Sequence, residues 1–542
     1  MKPLAVMIGL LALTMLLIEL VQSVSESVRV AQSELVRDHI AGLIHEKSAG
    51  VDLAFYESSD YYDHLHRARD DADGRCLALM ESVGSLAQNG ITLVAMAAVL
   101  LPYGYWVPLV LLAGTLPAFL VIFYFDRAYH DWWKRSTPDR RWADYYDFML
   151  THATTAPEIR LFGLGDPFRQ SYQRLRRSLR AEHIKIVRHR SAGRFAAGAF
   201  ALLSTGAVMG IMVLRVTKGL ATFGDLALFY QAFTRGQNLM RSLLSNLGRI
   251  YTNGLFLNNL FEFFNLKPQI TDSSKPLGAP RKLKRGIRFH QVTFRYPGSD
   301  RKALDGFDLF IPAGQTVAIV GANGAGKSTL VRLLCRFYDP ESGSIEWDGV
   351  DVRQMPLQDL RRMVTVLFQI PVPYHATASR NIALGDIAAE GDPADVEMAA
   401  RFAGAHEIVS RLPRGYQTLL GKWFADGTDL SAGEWQRIAL ARAFYRKAQI
   451  VVLDEPTSFM DSWAEKEWYD RFQTLVRGRT AVLITHRFTL ARRADIIHVM
   501  SDGRIVESGT HDQLLACKGL YAEAWGAQWG HDKLTSCALA EA

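Results

Sequence analysis

Gly321-Ala322-Asn323-Gly324-Ala325-Gly326-Lys327-Ser328-Thr329 is a complete GxxxxGK[ST] loop, and the residues on either side supply the setting it needs. An apolar, β-type run (Thr316 to Val320) precedes it, and a helix-compatible run (Thr329 to Phe337) follows. In a strand–loop–helix of this kind the glycines let backbone N–H groups close around phosphates, and the helix N-terminus adds positive potential. Lys327 then reaches the terminal phosphates, and Ser328 offers a hydroxyl to Mg²⁺. Alone, the loop says only that a nucleotide binds.

Working outward, Ile450-Val451-Val452-Leu453-Asp454-Glu455 is an apolar run ending in two adjacent carboxylates. A buried parallel strand delivers acids to its carboxyl edge in this way. Asp454 suits Mg²⁺, directly or through water, and Glu455 suits polarising an attacking water, since phosphoryl transfer asks mainly for positioning and charge neutralisation. Between loop and strand lies Leu430-Ser431-Ala432-Gly433-Glu434-Trp435-Gln436, followed by a helical stretch from Arg437 to Arg446. A small, hydroxyl-bearing turn at a helix N-terminus is a second anion site. Two phosphate-binding ends far apart in one chain invite head-to-tail dimerisation.

Here the chain resembles the ATP-binding cassette superfamily over its whole C-terminal half. The resemblance places Tyr296 as the ring on adenine, and Gly321, Asn323, Gly324, Ala325, Gly326, Lys327, Ser328 and Thr329 as the ATP-binding loop. It makes Glu455, His486, Lys327 and Gln369 the catalytic set, and Ser328, Gln369 and Asp454 the Mg²⁺ set. Ser431, Ala432, Gly433 and Glu434 fall on the signature that meets a partner subunit's ATP, and Ser458 and Asp461 fall on the D-loop. Two departures stand out: Ala432 where the family usually has glycine, and Phe459 where alanine is usual. Neither removes a catalytic group.

The N-terminal half reads as a membrane domain. The 542 residues are 49% hydrophobic, high for a soluble protein of this length. Stretches approaching the length of a spanning helix occur at Pro3–Leu20, Leu86–Leu101, Trp106–Phe125 and Ala196–Leu214, with a weaker one near Leu226–Leu244. Leu101-Pro102-Tyr103-Gly104-Tyr105 makes a tight hairpin between the second and third. The resemblance here is to the exporter type, whose helices run far beyond the bilayer. The stretches Phe55-Tyr56-Glu57-Ser58 to Tyr61-Tyr62-Asp63, and Glu158-Ile159-Arg160-Leu161-Phe162-Gly163, resemble its two coupling regions. The expected fold is thus an all-α transmembrane bundle of about five spans joined to an α/β P-loop ATPase domain. Boundaries are expected at 1–265 for the bundle, 266–285 for a Pro-rich basic linker, 286–529 for the ATPase domain and 530–542 for a tail.

With the ATPase half inside, the loop 127–192 is inside too. Its basic residues (Lys134, Arg135, Arg140, Arg141, Arg169, and Arg174 to Arg190) agree with the positive-inside rule. The net charge of +7 therefore needs no nucleic acid. Exporters of this type have six spans, and the loop after Leu20 resembles the one after their second. The expectation is that the first family span is missing, through a shortened or late-assigned start or a five-span variant. A cleaved leader fits poorly, because no A-x-A site follows the first apolar run.

Gln231, Arg235, Gln237, Asn238 and Arg241 interrupt the fifth span; they line a substrate path or sit near its cytoplasmic end. The scattered Cys76, Cys335, Cys517 and Cys537 read as free thiols, and Trp132-Trp133 as an interfacial or helix-packing pair. His64 and His66 read as a solvated face, since an i,i+2 pair diverges on a helix.

The expected activity is ATP-driven export of a small molecule, lipid or peptide by a homodimer or a heterodimer with a paralogue. The expected setting is a bacterial inner membrane with the ATPase domain in the cytoplasm. An exporter-fold importer and a hydrolysis-poor regulatory subunit stay open as alternatives, and the fused spans disfavour a non-transport ATPase of the superfamily.

Overall fold

The structure, a computed structural model, describes residues 2–58, 65, 72–280, 282–389, 391–457, 468, 471–474 and 476–528. Ser458, Phe459 and Asp461, Tyr61 to His64, His66, Cys537 and the tail from residue 530 lie outside them. The chain divides into two units. One comprises residues 1–51 and 58–267, and the other 52–57 and 268–542.

The first unit is helical. Lys2–Gly50, Ala72–Leu100, Trp106–Arg135, Gly165–Thr217 and Phe223–Phe264 are its long helices, with Thr137–Thr151 and Ala156–Leu161 as short ones. Among the described residues, four helices are long and apolar enough to cross a membrane: Ala5–Gly50, Gly74–Tyr103, Trp106–Arg135 and Gly165–Thr217. The 53 residues of Gly165–Thr217 measure roughly 80 Å at 1.5 Å per residue, far more than a bilayer core. The expected fifth span is part of one continuous helix, Phe223–Phe264, that fails the same measure of apolarity. Its polar residues account for this, and they divide by face. Gln237 is buried and its Nε2 donates to Thr205 Oγ1 at 3.1 Å, whereas Arg235 and Arg241 are exposed. The apolar face of the helix is firmly packed, with Phe229 and Phe233 buried among Leu100, Val107, Leu111, Val208 and Met212.

Small residues bring these helices together, as is usual where lipid supplies no hydrophobic drive between them. A Cβ on Gly236 would lie 3.0 Å from Leu111 Cδ1, and one on Gly248 3.1 Å from Ile122 Cγ2. Lower down, Asp126 accepts from Thr252 and pairs with Arg190 at 2.9 Å. Trp132 and Trp133 pack on Leu179 and Phe256, so the pair belongs to helix packing. Residues 5–32 of the first helix, by contrast, are exposed throughout despite their apolar character.

The second unit has two sheets. The antiparallel one runs β2-β1-β4-β5, from Lys302–Pro312, Gly286–Arg295, Ser342–Trp347 and Val350–Asp351. The other runs β10-β9-β3-β8-β7-β6, from Arg504–Gly509, Ile496–Ser501, Thr316–Gly321, Thr480–Ile484, Ile450–Asp454 and Val364–Leu367. All its pairings are parallel except β10 on β9. β7 and β8 are buried at every residue, as a parallel strand covered on both faces must be. Residues 52–57, which the sequence places among the first 265, pack with this unit: Leu53 and Ala54 touch its core, and Asp52 accepts from the backbone N–H groups of Gln269 and Ile270.

His498 on β9 is largely buried, and its Nδ1 lies 2.7 Å from Ser508 Oγ. Burial pushes its imidazole down to about 4. The unfolded chain takes up that proton near the ordinary value of 6.5 while the folded chain resists it, so this stabilisation is complete above pH 6.5 and is lost progressively below it. The melting temperature of the full chain is expected to fall between pH 6.5 and 4, and to fall less in His498→Gln. Parallel melting curves in the two proteins would refute this.

Candidate ATP site

The register of the parallel sheet gathers the site. Ile319 of β3 pairs with Ile484 of β8, which pairs in turn with Asp454 of β7. The loops after β3, β8, β7 and β6 therefore leave the same sheet edge, and they carry Lys327, His486, Glu455 and Gln369. Ligands bind in α/β proteins at this carboxyl edge. Tyr296, Asn323, Gly324, Gly326, Lys327, Ser328, Thr329, Gln369 and Glu455 line one cavity of about 480 Å³. Two glycines of the loop have φ of 81° and 105°, and a Cβ on Gly326 would lie 2.6 Å from Ala303 O, so no side chain fits there.

Lys327 is buried, and its Nζ donates to the carbonyls of Gly321 (2.8 Å) and Ala322 (3.0 Å). Burial holds the Lys327 ammonium below its usual range, against the pull of Glu455 and Asp454. Burial likewise raises the Asp454 carboxyl, against the hydrogen bond that Asp454 Oδ2 accepts from Ser328 Oγ at 3.2 Å. A polyanion beside Lys327 and a dication beside Asp454 would each favour the charged form. The hydroxyl of Ser328 and the carboxylate of Asp454 are hard oxygen donors of the kind Mg²⁺ takes, so the residues present fit that ion.

Glu455 is held from three directions. Its N–H donates to Ile484 O at 2.9 Å, Gln369 Nε2 donates to its Oε2 at 3.1 Å, and His486 Nδ1 lies 3.2 Å from its Oε1. Its φ of 49° is one that non-glycine residues seldom adopt, and such strain concentrates at functional sites. The sequence-expected catalytic residues Lys327, Gln369, Glu455 and His486 are thus in one place.

The turn Ser431-Ala432-Gly433-Glu434 is not among the residues lining this cavity. Ser431 caps the helix Ala432–Tyr445, and the cap is reciprocal: Ser431 N and Oγ donate to Glu434 Oε2 at 2.8 and 2.9 Å. A carboxylate thus sits inside the turn read as a second anion site.

Three contributors escaped the sequence reading. Arg301 lines the cavity and donates to Gly324 O at 3.3 Å. Arg332 lies over the Tyr296 ring at 5.2 Å and donates to Glu57 Oε1 at 2.6 Å. Glu57 also accepts from the Tyr338 hydroxyl, whose phenol is raised chiefly by burial and then by Glu57. Tyr296 itself is fixed by its hydroxyl, 2.9 Å from Thr329 Oγ1. With adenine on the ring, Arg332→Ala is expected to weaken binding of a fluorescent ATP analogue about two- to fivefold. Glu57→Gln is expected to have a smaller effect, and none once Arg332 is gone; additive losses would refute the linkage.

The family described as "ABC transporter" matches residues 304–458. The chain is 29% identical over 484 residues to the subtilin transport ATP-binding protein SpaT of Bacillus subtilis, covering 88% of this chain and 78% of that protein. It is 38% identical over 327 residues to the ATP-dependent lipid A-core flippase of Aromatoleum aromaticum, a match spanning 60% of this chain and 53% of the flippase. Among solved structures, that of a bacterial Atm1-family ABC exporter with ATP bound superposes with a TM-score of 0.76 at 26% identity, covering 91% of this chain and 86% of the other.

Proposed function

We propose that the chain is an ATP-binding cassette transporter of the exporter type and works as one half of a dimer exporting a small molecule, lipid or peptide, a reading supported by its family match and its relatives. The observation that carries this is the single cavity uniting Tyr296, Lys327, Ser328, Gln369 and Glu455 in a chain whose other unit has four helices able to cross a membrane. Relatives named for subtilin transport and for flipping a lipid A core support a transported cargo without narrowing it further.

In this reading the ATPase unit lies in the cytoplasm under a bacterial inner membrane. Tyr296 stacks on adenine, and backbone N–H groups from Asn323 to Thr329 hold the phosphates with Lys327. Ser328, Asp454 and Gln369 hold Mg²⁺, which when bound neutralises charge on the phosphate oxygens. Glu455 orients the attacking water and accepts its proton, while His486, held by Glu455, reaches the terminal phosphate. The Ser431–Gly433 turn of a second subunit closes the site from the other side. Closure draws the membrane units into an outward-facing form, because ATP binds the closed state far better than the open one.

A second reading, a heterodimer in which a paralogue supplies the better signature turn, is favoured by the Glu434 carboxylate on Ser431. A negative charge there opposes an incoming phosphate.

ATP hydrolysis by the chain in lipid nanodiscs tests the main reading. The wild type is expected to turn over, and Glu455→Gln to lose about two orders of magnitude or more. A wild type without activity, or a fully active variant, would reject the homodimer. Glu434→Gln keeps the cap and removes the charge. With two copies of this chain forming the site, the variant's KM for ATP is expected to drop severalfold, and an unchanged KM would refute the opposition between the Glu434 charge and an incoming phosphate.

A further inference from the structure

A cavity of about 370 Å³ lies in the first unit, between the helices Trp106–Arg135, Gly165–Thr217 and Phe223–Phe264. Thr115, Phe119, Arg194, Arg241, Ser242 and Ser245 are among its lining residues. Resting on the transport reading above, we infer that it is the cargo site and that it takes an amphiphile whose head is a phosphate or carboxylate.

Charge carries the argument. Across residues 82–100, 106–125, 194–217 and 226–261 there are five arginines (Arg194, Arg215, Arg235, Arg241 and Arg249) and not one aspartate or glutamate. Ionisable groups at membrane depth normally pair with one another or mark the path of a solute. The same unit shows the first solution just below, where Arg190 pairs with Asp126 at 2.9 Å, and Arg215 satisfies a backbone carbonyl, donating to Tyr103 O at 2.9 Å. Arg194 and Arg241 have neither: among the described residues no side-chain hydrogen bond or ion pair engages them. Both line the one cavity, on different helices. Two guanidiniums on one cavity with no carboxylate call for an anion, and their planar forks suit a carboxylate or phosphate.

Depth and lining supply the rest. Arg241 lies 18 residues beyond the start of its helix, Phe223, or roughly 27 Å at 1.5 Å per residue. That approaches the far side of a bilayer core of about 30 Å, counted from the end where the Pro102–Tyr105 hairpin turns. Arg194 sits just before the apolar stretch of its own helix, at the same end. A head between the arginines would therefore stand at the boundary of one leaflet. Phe119, Ile122 and Leu244 offer an apolar body somewhere to lie, and the Ser242 and Ser245 hydroxyls offer further donors. A purely snorkelling arginine needs no such cavity.

The test uses the full chain in phosphatidylcholine nanodiscs and reads Glu455-dependent hydrolysis. Dodecyl phosphate is expected to stimulate it, and dodecyltrimethylammonium, with the same tail and opposite charge, is not. Arg194→Gln and Arg241→Gln are each expected to raise the half-stimulating concentration about tenfold. Arg215→Gln, at the other end of the spans, is expected to leave it unchanged. Equal response to both amphiphiles, no response to dodecyl phosphate, or an unshifted midpoint in both cavity variants would overturn the assignment. Competition by phosphatidylglycerol in the disc would support the site with bilayer lipid as the anion's source, and competition by inorganic phosphate would support it with a soluble source. If the variants fail to fold, a diazirine-bearing alkyl phosphate on the wild type decides. Adducts on peptides holding Phe119, Arg194 and Arg241, suppressed by dodecyl phosphate, support the site, and adducts elsewhere overturn it. A chain with no Glu455-dependent hydrolysis fails the transport reading instead, so the two failures are distinct.

Discussion

Everything at the ATP site depends on one constraint, the parallel register of β3, β8 and β7. Ile319, Ile484 and Asp454 share a level, so the three loops that follow begin side by side. A slip of one residue in any strand would turn its buried side chains to the opposite face. The strands resist this because both faces of β7 and β8 are fully covered. The positions of Lys327, Glu455 and His486 are consequences of hydrophobic packing at residues that never touch a nucleotide. The unusual φ of Glu455 is tolerable for the same reason: Ile484 O anchors its N–H from the neighbouring strand.

The legibility of this chain divides along that line. Lys327, Asp454, Glu455 and Gln369 each follow a short apolar run, so strand and functional group are adjacent in sequence and can be read together. Glu57 and Arg332 are 275 residues apart, and no local pattern joins them. Arg301 is similarly silent, since its contact to Gly324 O arises only once β2 is paired and the loop has folded. The Ser431–Glu434 cap was readable as a helix start. That its carboxylate folds onto the hydroxyl expected to meet a phosphate shows only in three dimensions.

The long helices of the membrane unit were legible as apolar stretches, but Phe223–Phe264 was ambiguous. Hydropathy averages around a helix, and this one has a packed apolar face and a polar one. Phe229 and Phe233 are buried while Arg235 and Arg241 are exposed. Glycines hid a second feature. Gly236 and Gly248 lower the apparent hydropathy of the stretch, yet they are what allow Leu111 and Ile122 to approach so closely. Residues that weaken the signal for a span are here the ones that hold it in its bundle.

Residues 52–57 follow directly on a long helix of the first unit, yet they pack as part of the ATPase unit. That has a practical consequence for anyone dividing the protein. A fragment begun at the Pro-rich linker would lack Leu53 and Ala54 and bare the apolar notch they fill. It would also leave Arg332 without its carboxylate and Tyr338 without its acceptor. Such a fragment would be prone to self-association, and its Tyr296 ring would sit on an unbalanced charge. Rates measured on it would describe a different site from the one the whole chain builds.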